Sequence, residues 1–280
     1  MDDSNSASET TSAQRQELHD SAADALSRVN GAGELQAALL ALMLPAGSQR
    51  AARAWQAETE AKPGLLALVT HAGHLYSTAR LPWFELMLSR MHGQPLATRQ
   101  ALLEATRRVM QARGAVRAID RLHWLAMRQR LGGNAAVKVK AAATVELSQL
   151  ADNTLHAIAS YTAFLSRLVP NESTDAVSAE AAAAWYASAM APWHAESELL
   201  ACQPPDTDGL VAALHELQAL AWMQRPVLVR GWFDAALAHS PQRRLGDSAA
   251  DALRLSCTLL DSPQPPALAA HFIEALKETR

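Results

Sequence analysis

Cysteine is nearly absent: Cys202 and Cys257 are the only thiols in 280 residues. One pair is no disulfide framework, so a reducing compartment, the cytoplasm, is expected, with both thiols as small buried apolar groups. Long apolar runs are missing too. The Ala-rich stretch 178–202 is broken by Glu180, Pro192, His194, Glu196 and Glu198, so no segment is expected to span a membrane. The first twelve residues are acidic and hydroxyl-rich, the opposite of a basic, then apolar, export signal. An excess of positive charge is also lacking, and a formal charge of −3 does not suit a dedicated nucleic-acid binder. Neither a Gly-x-Ser-x-Gly elbow, a phosphate-cradling glycine loop, Gly-x-Gly-x-x-Gly, Cys-x-x-Cys nor His-Glu-x-x-His occurs. Nucleophilic and nucleotide chemistry therefore have no anchor, and no cofactor or metal is expected.

What is present is helical periodicity. Apolar residues recur at three and four positions, as in Leu102, Leu103, Val109 and Met110, and in Leu147, Leu150, Leu155, Ile158 and Leu165. Strands are not needed anywhere, so the expectation is an all-α, multi-helix bundle. Residues 1–13 lack periodic apolar positions and read as a disordered tail. Glycine and proline break the rest into about a dozen helices. Pro82, Pro95 and Pro226 are expected in first turns, and Asp247-Ser248 and Thr207-Asp208 as N-caps. Residues 133–170 hold no internal breaker and read as one long helix, or two joined through Asp152-Asn153. They divide an N-terminal half, 14–134, from a C-terminal half, 135–280. A helix, turn and helix after Pro95 corresponds to another after Pro226, which suggests duplicated helical units.

Few residues invite a chemical reading. His71-Ala-Gly-His74, with Glu85 further on, would set two imidazoles near each other on a helix. Metal-binding helices usually place ligands one full turn apart with a glutamate between, so end packing is the favoured reading and a divergent hydrolase a remote one. Trp193-His194-Ala195-Glu196 and His215-Glu216 lack a third group and read as solvated or half-buried positions. The tryptophans suit core faces, although Trp83-Phe84 and Trp232-Phe233 could each turn one ring outward into a binding groove. Charge is the sharpest local signal. Between residues 99 and 140 stand Arg99, Arg107, Arg108, Arg113, Arg117, Arg121, Arg128, Arg130, Lys138 and Lys140, against only Glu104 and Asp120. Such a face could meet phosphate or carboxylate groups, while internal pairing is the commoner outcome.

The segments Leu81-Pro-Trp-Phe-Glu-Leu-Met-Leu-Ser-Arg-Met91, Leu102-Leu-Glu-Ala105 and Arg113-Gly-Ala-Val-Arg-Ala-Ile-Asp120 resemble a known pattern. They are similar to the cytosolic TerB-like helical tail that follows the membrane-embedded catalytic part of bacterial zinc metallopeptidases of the HtpX type. The stretch 214–266, closing on Leu259-Leu-Asp-Ser-Pro-Gln-Pro-Pro266, is similar to the end of that tail. The resemblance spans about 24–268 and implies two TerB-like repeats without the peptidase part. It departs from the family where Arg113-Gly114 and residues 239–246 replace acidic turn steps, which argues against cation binding there. The function these readings imply is a non-catalytic adaptor or regulatory module for a protein partner, with a membrane-anchored one suggested by the resemblance. Its interaction surface is expected at Arg107, Arg108, Arg113, Arg117, Arg121, Trp83 and Trp232. The alternative is binding of an anionic polymer or lipid surface through the basic face.

Overall fold

The computed structural model describes residues 3–45, 47–60, 62–112, 114, 116–132, 150–170, 177–193, 200–240 and 243–277, with side chains from residue 12 to residue 272. Every regular element among them is helical: α1 (Asp3–Ser27), α2 (Ala32–Leu42), α3 (Gln49–Glu58), α4 (Pro63–His74), α5 (Ser77–His92), α6 (Leu96–Ala112), α7 (Ala118–Leu131), α8 (Asp152–Leu165), α9 (Ala179–Met190), α10 (Thr207–Ala219), α11 (Gln224–His239), α12 (Asp247–Leu259) and α13 (Pro266–Lys277), plus a 3-10 turn at Ala191–Trp193. They form two compact units, one of residues 1–120, 127–133 and 272–280, the other of residues 121–126 and 134–271. No helix among the described residues is long and apolar enough to cross a membrane.

Unit 1 is built around α2. Its Leu35, Ala37, Ala38, Leu39, Leu40, Ala41 and Leu42 are all buried, because a helix apolar on nearly every side can only be a central one. It packs on α3, α4, α5 and α6, while α3 packs on α6 and α1 on α4. In unit 2 the same place is taken by α8, buried without interruption from Tyr161 to Leu165 and packed on α9 and α10, with α11 on α9 and α12. Local sequence repeats along with the packing. Ser48-Gln-Arg-Ala-Ala-Arg-Ala-Trp55 opens α3, and Ser178-Ala-Glu-Ala-Ala-Ala-Ala-Trp185 opens α9. In each, the serine hydroxyl caps the helix by accepting the N–H three residues on, Ala51 at 3.2 Å and Ala181 at 3.1 Å. Each tryptophan is fully buried. Late in the pattern, His92 of α5 meets the carbonyl of Arg130 at the end of α7. Gln218 of α10 likewise donates to the carbonyl of Leu259 at the end of α12.

Several boundaries differ from expectation. Helix α1 begins at Asp3, inside the stretch 1–13 read as a tail, since once a nucleus docks each further residue adds one hydrogen bond. Pro82 lies inside α5 rather than at its start. The helix begins at Ser77, so Pro82 forfeits a bond only to a first-turn carbonyl. Pro95 immediately precedes α6 and Pro226 falls in the first turn of α11. The cap of α10 is Asp206, whose carboxylate accepts Gly209 N–H at 2.8 Å, and that of α12 is Gly246, with Asp247 already helical. Helix α8 starts at Asp152; residues 133–149, which complete the long-helix expectation, lie outside the described residues, as do His194 and Glu196.

Candidate functional site

Part of the basic face is paired within the chain. Arg108 of α6 forms a two-bond fork with Glu58 of α3, Nε to Oε1 and Nη2 to Oε2, both at 2.7 Å. Paired so closely, the guanidinium is held above its ordinary pKa by Glu58. Arg107 donates to Glu104 at 3.2 Å. Arg117 stands at the N-cap of α7, where the buried Asp120 carboxylate accepts its backbone N–H at 3.2 Å, its Nε at 3.2 Å and its Nη2 at 2.7 Å. Asp120 thus combines half of a capping box with an ion pair, and both favour negative charge in the first turn. Arg117 Nη2 also reaches the Met43 carbonyl at 3.4 Å. Arg121 is half-buried. Arg113, Lys138 and Lys140 lie outside the described residues, while the adjoining Gly114 takes φ +98°, a backbone region that favours glycine. Of the seven described basic residues of the run, Arg107, Arg108 and Arg117 thus pair with carboxylates of the chain, while Arg128 and Arg130 are exposed.

The histidines are dispersed. His71 and His74 sit in the last turn of α4, where imidazoles suit the carbonyl end of the helix, and Glu85 belongs to α5. Among the described residues no three His, Cys, Asp or Glu side chains come together to hold a metal ion. His156 Nδ1 lies 2.7 Å from the Asp152 carbonyl of its own helix, and His271 Nε2 lies 3.3 Å from Asp247 Oδ1. Buried polar groups elsewhere serve the core. Tyr161 shares a 3.0 Å hydrogen bond with Ser256, and its burial pushes the phenol well above its ordinary pKa. Tyr186 donates to the Leu200 carbonyl at 2.8 Å and is pushed up to about 12, again mainly by burial. Cys257 is buried and Cys202 half-buried, and neither is in a disulfide.

Trp232 offers no surface. It is 0% exposed, stacks on Tyr161 at 5.3 Å and donates its indole N–H to Thr162 Oγ1 at 2.9 Å. Phe233 is buried beside it, because α11 packs against both α9 and α12 and leaves neither ring an open side. The groove expected at that pair is therefore corrected to core. Trp83 is half-buried and Phe84 fully buried, as adjacent helical positions require. The outward-facing aromatic is instead Trp222, 74% exposed in the turn between α10 and α11, with Met223 at 53% and Val227 at 46%. Met223 and Val227 are one helical turn apart on α11's outer side. Sequence reasoning assigned Trp222 to the core, and its one visible cue was the Trp-Met pair directly before the Gln224-Arg-Pro226 helix start. Compared with known proteins, the chain matches no family model, no curated protein and no solved structure.

Proposed function

We propose that the chain is a non-catalytic helical adaptor or regulatory module that docks a protein partner through the α10–α11 turn. The observation that carries this reading is the exposure of Trp222, Met223 and Val227 together, in a unit that buries Trp185, Trp193 and Trp232 and half-buries Trp124. A projecting indole beside a flexible thioether is the kind of anchor that concentrates binding energy at protein interfaces. Dispersal of the histidines and internal pairing of Arg107, Arg108 and Arg117 favour it over a hydrolase or an anionic-surface binder. The resemblance to peptidase tails proposes a membrane-anchored protein as that partner.

The test compares the wild-type chain with Trp222→Ala/Met223→Ala as baits in membrane-solubilised native extract, followed by mass spectrometry and binding with the purified partner. The expected result is one specific protein retained by the wild type and weakened by the double variant at unchanged helicity. Recovery of no protein above background, or equal affinity for both baits, overturns the reading.

A further inference from the structure

Helix α1 is fastened to unit 1 by very few side chains. Among residues 12–27 only His19, Ala22 and Leu26 are buried, one helical stripe facing α4. One of these three anchors is an imidazole. The His19 ring lies 4.3 Å from the Tyr76 ring at an interplanar angle of 26°, and Tyr76 donates its hydroxyl to Gln16 Oε1 at 3.0 Å. Tyr76 is the N-cap of α5, so its backbone N–H has no intrahelical acceptor. It donates instead to His19 Nδ1 at 3.1 Å. That bond requires Nδ1 without a proton and hence the neutral ring with its proton on Nε2.

We infer that His19 makes α1 a pH-sensitive strap: the neutral ring fastens the helix to the α4–α5 junction, and proton uptake releases it, uncovering Tyr76 and the side of α4 on which α1 packs. A protonated Nδ1 would turn a donor toward the Tyr76 N–H and leave both unmatched in a site only 2% exposed at His19. Burial lowers the pKa of the ring below its ordinary value, with Asp20 opposing. The other charged or titratable groups on the described part of these elements are Arg15, Glu17 and Asp24 on α1, His71 and His74 on α4, and Arg80, Glu85, Arg90 and His92 on α5; the Arg80 guanidinium is engaged with the carbonyls of Ala72, Leu42 and Leu44, and that of Arg90 with the carbonyls of Ser27 and Val29 at the end of α1. The released ring takes up its proton near pH 6.5, its ordinary value, whereas the docked ring resists until lower pH. Docking is therefore strongest above pH 6.5 and weakens as pH falls through it. Release is independent of whether the chain has a protein partner.

Hydrogen exchange on the full chain, corrected for intrinsic rates, tests this. Opening of the α1 amides around residues 19–27 should rise by up to about tenfold between about pH 7.5 and 5.5, the limit for one proton, while α8 amides hold steady. His19→Asn places an amide oxygen near the Nδ1 position and should flatten the response; His71→Gln/His74→Gln should retain it. If His19→Asn fails to dock α1, wild-type imidazole NMR decides, and must show the Nε2–H tautomer with a midpoint below that of free histidine. A pH-independent α1, a pH response surviving in a docked His19→Asn, its loss in the α4 double variant, or a His19 carrying its proton on Nδ1 overturns the inference.

Discussion

Two tryptophans in equivalent places carry different polar burdens. Trp55 donates its indole N–H to the Ala37 carbonyl at 2.9 Å, whereas the equally buried Trp185 has no hydrogen-bond partner for its own among the described residues. Replacing either with phenylalanine removes similar ring volume, so the difference between them isolates the N–H. Trp55→Phe loses a made bond, and Trp185→Phe removes a buried donor that costs free energy where it stands. Trp55→Phe should therefore destabilise its unit by about 1–2 kcal/mol more than Trp185→Phe destabilises its own, measured by urea unfolding followed through exchange of α2 and α8 amides. Equal costs would mean that Trp185 finds a partner, such as an ordered water. Trp185 was legible as a core residue, because an indole on an alanine-rich helical face has nowhere better to go. Which indole lacks an acceptor was not legible, since that depends on a neighbouring helix's carbonyl. The exposure of Trp222 escaped for the same reason: it is set by what fails to pack over a turn.

Among the helices, arginine acts as a staple for carbonyl ends. Arg80, in the first turn of α5, donates to Leu42 and Leu44 at the end of α2 and to Ala72 in the last turn of α4, each at 2.9 Å. Arg225, in the first turn of α11, does the same for Gln218 at 2.6 Å, Leu220 at 3.0 Å and Leu260 at 3.1 Å, closing α10 and α12. The terminal carbonyls of a helix have no intrahelical donor, and a cation there also opposes the helix dipole. A planar fork can serve two helix ends at once, which an ammonium point charge does poorly. Arg80→Ala should cost about 1–3 kcal/mol, from bonds worth about 0.5–1.5 each offset in part by water, and Arg80→Lys should recover less than half. Urea midpoints for the three proteins check this, and full rescue by lysine would reduce the effect to charge alone. Helix number and period were readable because each helix repeats its apolar residues every three to four positions. Starting points were less so: Pro82 looked like a first residue but is an interior one, and Asp206 caps α10 one position before the expected Thr207.

Across the whole chain, a formal charge of −3 conceals how the positive groups are used. The run of arginines between residues 99 and 140 was plain in the sequence, but the pairing of Arg108 was not, because Glu58 lies 50 residues away from it. Glu58 is 16% exposed and Arg108 59%, so the fork faces solvent while its counter-charge sits partly in the fold. Removing that counter-charge should uncover an anion site without disturbing the core. Glu58→Gln keeps the side-chain shape, changes the formal charge from −3 to −2, and leaves Arg108 free to meet a phosphate. The wild type should bind duplex DNA weakly and with little salt dependence. Glu58→Gln should bind more tightly, with the slope of log affinity against log salt steeper by about 0.9, the value for one added phosphate contact. Adding Arg108→Gln should return the slope to its wild-type value. Steep, strong binding by the wild-type chain would instead mean that the basic face is available as it stands, and would put the alternative, anionic-surface recognition, ahead of the adaptor reading.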